Sequence, residues 1–130
     1  MYNLKRLRTM KRKNVVREKS FKFSVRVINL YKILCNERKE FVLSKQLLRS
    51  GTSIGANVRE ASNAESNADF IHKLAIAQKE CDETSYWLEL LYETEFINKI
   101  EFDSINNDAN ELLKIIRSII LSSKKIIHNS

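Results

Sequence analysis

The chain has no proline and two glycines, Gly51 and Gly55, both within the run Leu43 to Ala61, LSKQLLRSGTSIGANVREA. Long helices tolerate such a lack of chain punctuation, whereas a β fold with many turns does not. No period-2 alternation of apolar residues bounded by turn residues appears, so the sequence predicts an all-α fold.

Each glycine inside a helix costs roughly 1 kcal/mol relative to alanine, so the pair needs a reason. At 100° per residue the run carries three stripes. Leu43, Leu47, Ser50, Ile54, Val58 and Ala61 form an apolar one. Ser44, Gly51 and Gly55 form a small-residue stripe on one flank, and Arg49, Ser53, Asn57 and Glu60 a polar stripe on the other. The small stripe implies close approach of another backbone; the competing reading is a kink or break at the glycines.

Four helices are expected. The first runs from about Ser20, as N-cap, to Arg38, with Phe21, Val25, Ile28 and Cys35 beside Phe23, Val27, Leu30 and Leu34 as its broad apolar face. The second enters near Val42 and ends at Ser62 to Ala64. The third is capped by Ser66 or Asn67 and runs to about Glu95, repeating Phe70, Leu74, Ala77, Cys81, Thr84, Leu88 and Leu91. Phe96 to Glu101 forms a turn, and Asp103 or Ser104 caps the fourth helix. There, Leu113, Ile115, Ile120, Ile126 and Ile127 widen the Ile105, Ala109, Leu112, Ile116, Ile119 stripe to roughly 160°, beyond the usual core-facing arc. Short connections predict an antiparallel up-down four-helix bundle over residues 20–128, with a surplus apolar face suited to self-association.

The net charge of +7 is uneven. Residues 1–19, read as a basic N-terminal extension, carry Lys5, Arg6, Arg8, Lys11, Arg12, Lys13, Arg17 and Lys19 against Glu18, while the remainder carries fifteen charges of each sign. Such a segment suits nucleic acid or another acidic surface. The alternatives are a solvated end that aids solubility, or translation starting at Met10. No apolar run approaches the ~20 residues of a membrane span, and no secretory pattern opens the chain. Cys35 and Cys81 have neither metal-ligand nor disulfide-framework spacing, which points to a reducing cytoplasm.

Arg49 is expected to pair with Glu80 or Glu83 across the second and third helices, with Ser53, Asn57 and Glu60 nearby, as a structural network. The alternative is a set of solvated surface pairs. A di-iron bundle needs two Glu-x-x-His pairs; the two histidines, His72 and His128, lack them. No nucleophile motif, phosphate loop or HExxH is present, so neither enzyme, cofactor nor metal is expected. Trp87 and Tyr86 could stack bases, but Trp87 at helical spacing reads as packing.

Arg49-Ser50, Ser53-Ile54, Asn57 and Glu60, followed by Phe70, Leu74, Ile76-Ala77, Glu80 and Glu83, resemble the bacterial 23S rRNA intervening sequence proteins, or S23 family, over about residues 20 to 125. Ala61 stands where many members have glycine. The resemblance implies a four-helix bundle assembling as a ring-shaped homopentamer without catalytic activity. Some members are encoded within inserts in 23S rRNA genes. A related protein is the basic accessory subunit of reverse transcriptases in diversity-generating retroelements. The expected function is therefore nucleic-acid binding (RNA or DNA) through the basic segment, multiplied by ring assembly, or alternatively a protein-interaction scaffold.

Overall fold

The structure is a computed structural model and describes residues 3–128. Four helices, α1 (Leu4–Asn36), α2 (Leu43–Ser62), α3 (Asn67–Glu93) and α4 (Lys99–His128), account for it, with no strand among the described residues. Each helix packs on its predecessor and α4 closes on α1, while among the described residues the diagonal pairs make no close backbone approach. Paired side chains fix the directions. Gly51 faces Val27 and Gly55 faces Ser20, Glu60 reaches Lys73 while Arg49 reaches Glu83, and Lys19 reaches Glu111 while Arg26 reaches Asp108. In each of these three pairs one number rises as the other falls, so α1 runs antiparallel to α2 and α4, α2 to α3, and by consequence α3 to α4.

The core takes Val16, Phe23, Val27 and Leu34 from α1, Leu47, Ile54 and Val58 from α2, Leu74, Cys81, Leu88 and Leu91 from α3, and Ile105, Leu112, Ile116 and Ile119 from α4. Both cysteines are free, and burial, foremost, pushes the Cys81 thiol up to about 12. Neither glycine has a positive φ; the left-handed positions fall to Lys39 and Glu95, in the turns after α1 and α3. The glycines serve close approach instead. A Cβ at Gly51 would lie 2.7 and 2.8 Å from the γ-carbons of Val27, and one at Gly55 would lie 3.2 Å from the Ser20 carbonyl oxygen. The run is one unbroken helix.

Three expectations need correction. The first helix begins at Leu4, with Asn3 accepting from the Lys5 N–H as its cap, and Ser20 is a buried mid-helix residue rather than a cap. Nothing between residues 4 and 36 interrupts the helix, and Val16 extends the core stripe past the expected start. The boundary expected after residue 19 therefore falls within one helix. The fourth helix is capped by Asn98, not Asp103 or Ser104. Asn98 accepts from the Glu101 N–H at 2.8 Å and Glu101 accepts from the Asn98 N–H at 2.9 Å, a reciprocal capping box. Finally, the residues expected to give α4 a surplus apolar face turn inward wherever their side chains are described, although Leu121 of that helix is exposed. On α4, Ile120 is buried and Leu113 and Ile115 pack on the core, while Ile126 and Ile127 lie outside the described side chains. It is α1 that turns Phe21, Val25 and Ile28 outward, at 57%, 43% and 37% exposure.

Candidate nucleic-acid interface

The eight basic residues lie on the first half of α1 rather than on an appended tail. Three of them are tied to the bundle, Lys19 through an exposed pair. Arg12 donates to the hydroxyls of Ser118 and Ser122 on α4, the latter at 3.0 Å. Lys19 pairs with Glu111, which raises the pKa of the ammonium through that hydrogen bond. Lys13 sits 4.3 Å above the Phe70 ring, a cation–π contact with the start of α3. Lys5, Arg6, Arg8, Lys11 and Arg17 are exposed. Glu18, the acid of this segment, pairs with Lys22 at 2.9 Å, and that hydrogen bond lowers its pKa.

Arg12 and Lys19 belong to a stripe that the sequence reading missed. Arg26, seven residues further, donates to the Ser104 hydroxyl at 2.9 Å and to Asp108 at 2.6 Å. Cations at 12, 19 and 26 thus clamp α4 at 118, 111 and 104, an antiparallel heptad register. This alignment sets the basic half of α1 beside the second half of α4, which carries exposed Lys114, Arg117, Lys124 and Lys125 and no acid from residue 112 to 125. The acids of α4, Glu101, Asp103, Asp108 and Glu111, all lie in its first half. The body is neutral in sum but polar in arrangement: one end of the α1–α4 pair is basic throughout. Next to it, an open groove of about 510 Å³ is lined by Lys13, Arg17, Ser62, Glu65, Ser66 and Phe70, among others.

The residues expected to form one structural network divide into three. Arg49 pairs with Glu83 and lies 3.5 Å from Glu80. Glu60 pairs instead with Lys73, at 3.2 Å. The Ser53 hydroxyl and the Asn57 amide bond the carbonyls of Arg49 and Ser53, their own helix, at 2.6 and 2.8 Å. The buried polar link between α2 and α3 is a different one: the hydroxyls of Ser50 and Thr84, both fully buried, hydrogen bond at 3.0 Å. Both had been read as core-stripe positions. Trp87 packs against the core, with exposed Tyr86 edge-on to it at 5.1 Å, and His72 is exposed.

Arg49 is half exposed, which limits its ion pairs to at most about 1 kcal/mol each. Glu80 is less exposed, at 19%, and burial, then the Glu83 carboxylate, raises its pKa while Arg49 opposes the shift. A carboxyl with a raised folded pKa keeps its proton in the folded state over a window where the unfolded chain has lost it, so its contribution to stability falls as pH rises. Glu80→Gln should therefore gain less than about 1 kcal/mol at pH 7 over the parent. In urea unfolding at several pH values, that advantage should grow as pH rises above ~4.3, the unfolded carboxyl value, and vanish below it. An advantage independent of pH would show that Glu80 is not strained by its charge.

Among the described residues no cluster of three or more His, Cys, Asp or Glu could hold a metal, and no helix is long and apolar enough to cross a membrane. The fold and its surface define an all-helical four-helix bundle whose α1–α4 pair is basic at one end. The chain belongs to the 23S rRNA-intervening sequence protein family, whose model matches residues 12–118. The match takes in Arg12 to Lys19 and leaves Lys5 to Lys11 before it. Among solved structures, the chain is similar to a protein of unknown function from the S23 ribosomal protein family of Bacteroides thetaiotaomicron VPI-5482. The two are 62% identical over 84% of this chain and 97% of that one, with a TM-score of 0.83. No curated protein matches the chain.

Proposed function

We propose that the protein is a non-enzymatic, cytoplasmic helical bundle that self-assembles and binds RNA or DNA through the basic half of α1. The observation that carries this reading is that Lys5, Arg6, Arg8, Lys11 and Arg17 are exposed on one continuous helix whose neighbours Arg12 and Lys19 are anchored to α4. A helix anchored in this way presents its cations without the ordering cost of a free tail. The family description, with its reference to 23S rRNA, agrees with a nucleic-acid partner. Assembly as a ring-shaped homopentamer, implied by the family resemblance, would multiply a weak contact by avidity.

Deleting residues 1–19 would remove Val16 from the core, so charge neutralisation is the cleaner test. Each phosphate contact contributes about −0.9 to the slope of log K against log salt on duplex. Lys5→Gln, Arg6→Gln, Arg8→Gln and Lys11→Gln combined should therefore flatten that slope by roughly 3 to 4. Binding that keeps its full slope would dispose of the α1 reading.

The second reading is a protein-interaction scaffold, such as a reverse-transcriptase accessory subunit of a diversity-generating retroelement. The outward seam of Phe21, Val25 and Ile28, spaced i, i+4, i+7 on α1, favours a protein contact on that face. Light scattering decides whether the contact is with a second copy: Val25→Glu should reduce an oligomer to monomers if the seam joins subunits.

A further inference from the structure

We infer that the basic halves of α1 and α4 act as one phosphate-binding pole, and that its partner is a double helix rather than a single strand. This rests on the nucleic-acid reading above and adds a second element and a partner class to it. Arg12 on Ser118 and Ser122, and Lys19 on Glu111, hold the two helices in a fixed register. Arg8 continues the Arg12–Lys19 stripe one turn beyond Arg12 toward the end of α4, and Lys11 lies beside that stripe. On α4, Lys114 and Lys125 are eleven residues apart and share one outward face. Cations from two chain segments about a hundred residues apart in sequence are thus brought to one end of the bundle.

The chemistry of this end favours a duplex. Single strands are held largely by aromatic side chains on which bases stack. No aromatic residue occurs in residues 4–19 or 112–125. What the pole offers is positive charge on a rigid frame. Residues 4–19 span ~24 Å of helix at 1.5 Å per residue. A duplex presents one phosphate per ~1.7 Å of axis, roughly fourteen over that length. Its phosphates are also fixed in space, so a frame locked by side-chain hydrogen bonds can meet several at once. Phosphate contacts carry no sequence information, so sequence selectivity should be low.

The test is fluorescence anisotropy with four labelled probes of one sequence, a 20-base-pair RNA duplex, its DNA counterpart and the single strand of each, at several salt concentrations. The full chain should bind a duplex at least tenfold more tightly than the matching strand, and the RNA and DNA arms identify which duplex it prefers. Lys114→Gln combined with Lys125→Gln, both exposed, should weaken duplex binding about tenfold and flatten the salt slope by about 1.8. Circular dichroism should be unchanged. Strands bound as tightly as duplexes, or a salt slope unaltered by the two α4 substitutions, would overturn the inference and leave the α1 reading standing. Failure of all four probes to bind would end both.

Discussion

Gly51→Val is expected to destabilise the bundle by about 3 kcal/mol, the upper end of the usual cost of overpacking a core. The reason is local and severe. Even a single Cβ at Gly51 would stand 2.7 and 2.8 Å from two methyl carbons of Val27, a fully buried residue. Valine is branched at Cβ, so rotating one methyl away from α2 brings the other toward it. For Gly51→Ala the gain in helix propensity, roughly 1 kcal/mol, offsets part of the clash, leaving a net loss of about 1 to 2 kcal/mol. Gly55→Ala meets the Ser24 hydroxyl, which can move, and the Ser20 carbonyl oxygen, which is backbone, both at 3.2 Å, so its milder clash should offset roughly the whole of its propensity gain. A double-mutant cycle isolates the contact. Gly51→Ala and Val27→Ala together should cost at least about 1 kcal/mol less than the sum of the two alone, as measured by urea unfolding. An additive cycle, or a Gly51→Ala variant more stable than the parent, would mean that α1 does not approach α2 as closely as described.

That contact is largely legible in the sequence. Two costly glycines four apart in a helix imply a close neighbour, and the structure supplies Val27, Ser20 and Ser24 of α1. The bounds of α2 are also readable from spacing, and of the two candidate caps of α3, Ser66 and Asn67, it is Ser66 that accepts from the Asp69 N–H, at 3.1 Å. The start of α1 is not legible from composition, because the basic segment changes the charge of the chain without changing its structure. Charge alone does not end a helix, and Val16 continues the stripe of Phe23, Val27 and Leu34 without a break. The start of α4 lies about one and a half turns before Asp103 and Ser104, which look like caps, although Asn98 and Glu101 already have capping-box spacing. The clamp of α1 on α4 is a different kind of omission. Its heptad rhythm, Arg12, Lys19 and Arg26, is visible in the sequence, but its partners are about 80 to 110 residues away, and only the packed register identifies them. The basic half of α4 was hidden by summation, since its four cations cancel in the count against acids one helix-half away.

Glu40→Ala should be nearly as damaging as the Gly51 change, for an electrostatic reason. Glu40 is 7% exposed, in the turn before α2, and no side chain caps that helix from its N-cap position, Val42. The Glu40 carboxylate does so from two residues further back, accepting the backbone N–H groups of Val42, Leu43 and Ser44 at 3.0, 2.8 and 2.6 Å. Hydrogen bonds to a charged group contribute about 1.5 to 3 kcal/mol, and losing the acceptor leaves three donors at a helix start without it. Partial access to water limits the total loss to about 3 kcal/mol for Ala, and Gln should lose about 2 because it keeps an acceptor oxygen. The pH dependence separates this from simple packing loss. Burial pushes the Glu40 carboxyl up, but the N–H groups of Leu43, Ser44 and Val42 together outweigh it and hold the pKa below the ordinary value. A group with a lowered folded pKa adds stability that is present above its unfolded value, ~4.3, and lost as pH falls through the folded one. The gap between parent and Glu40→Gln in urea unfolding should thus be widest near neutral pH and close in acid. Some acid sensitivity should survive in the variant, since Arg38 holds the Glu101 carboxyl low through paired bonds of 3.1 and 2.7 Å. A gap that stays constant from neutral pH into acid would place the role of Glu40 in its packing and not in its charge.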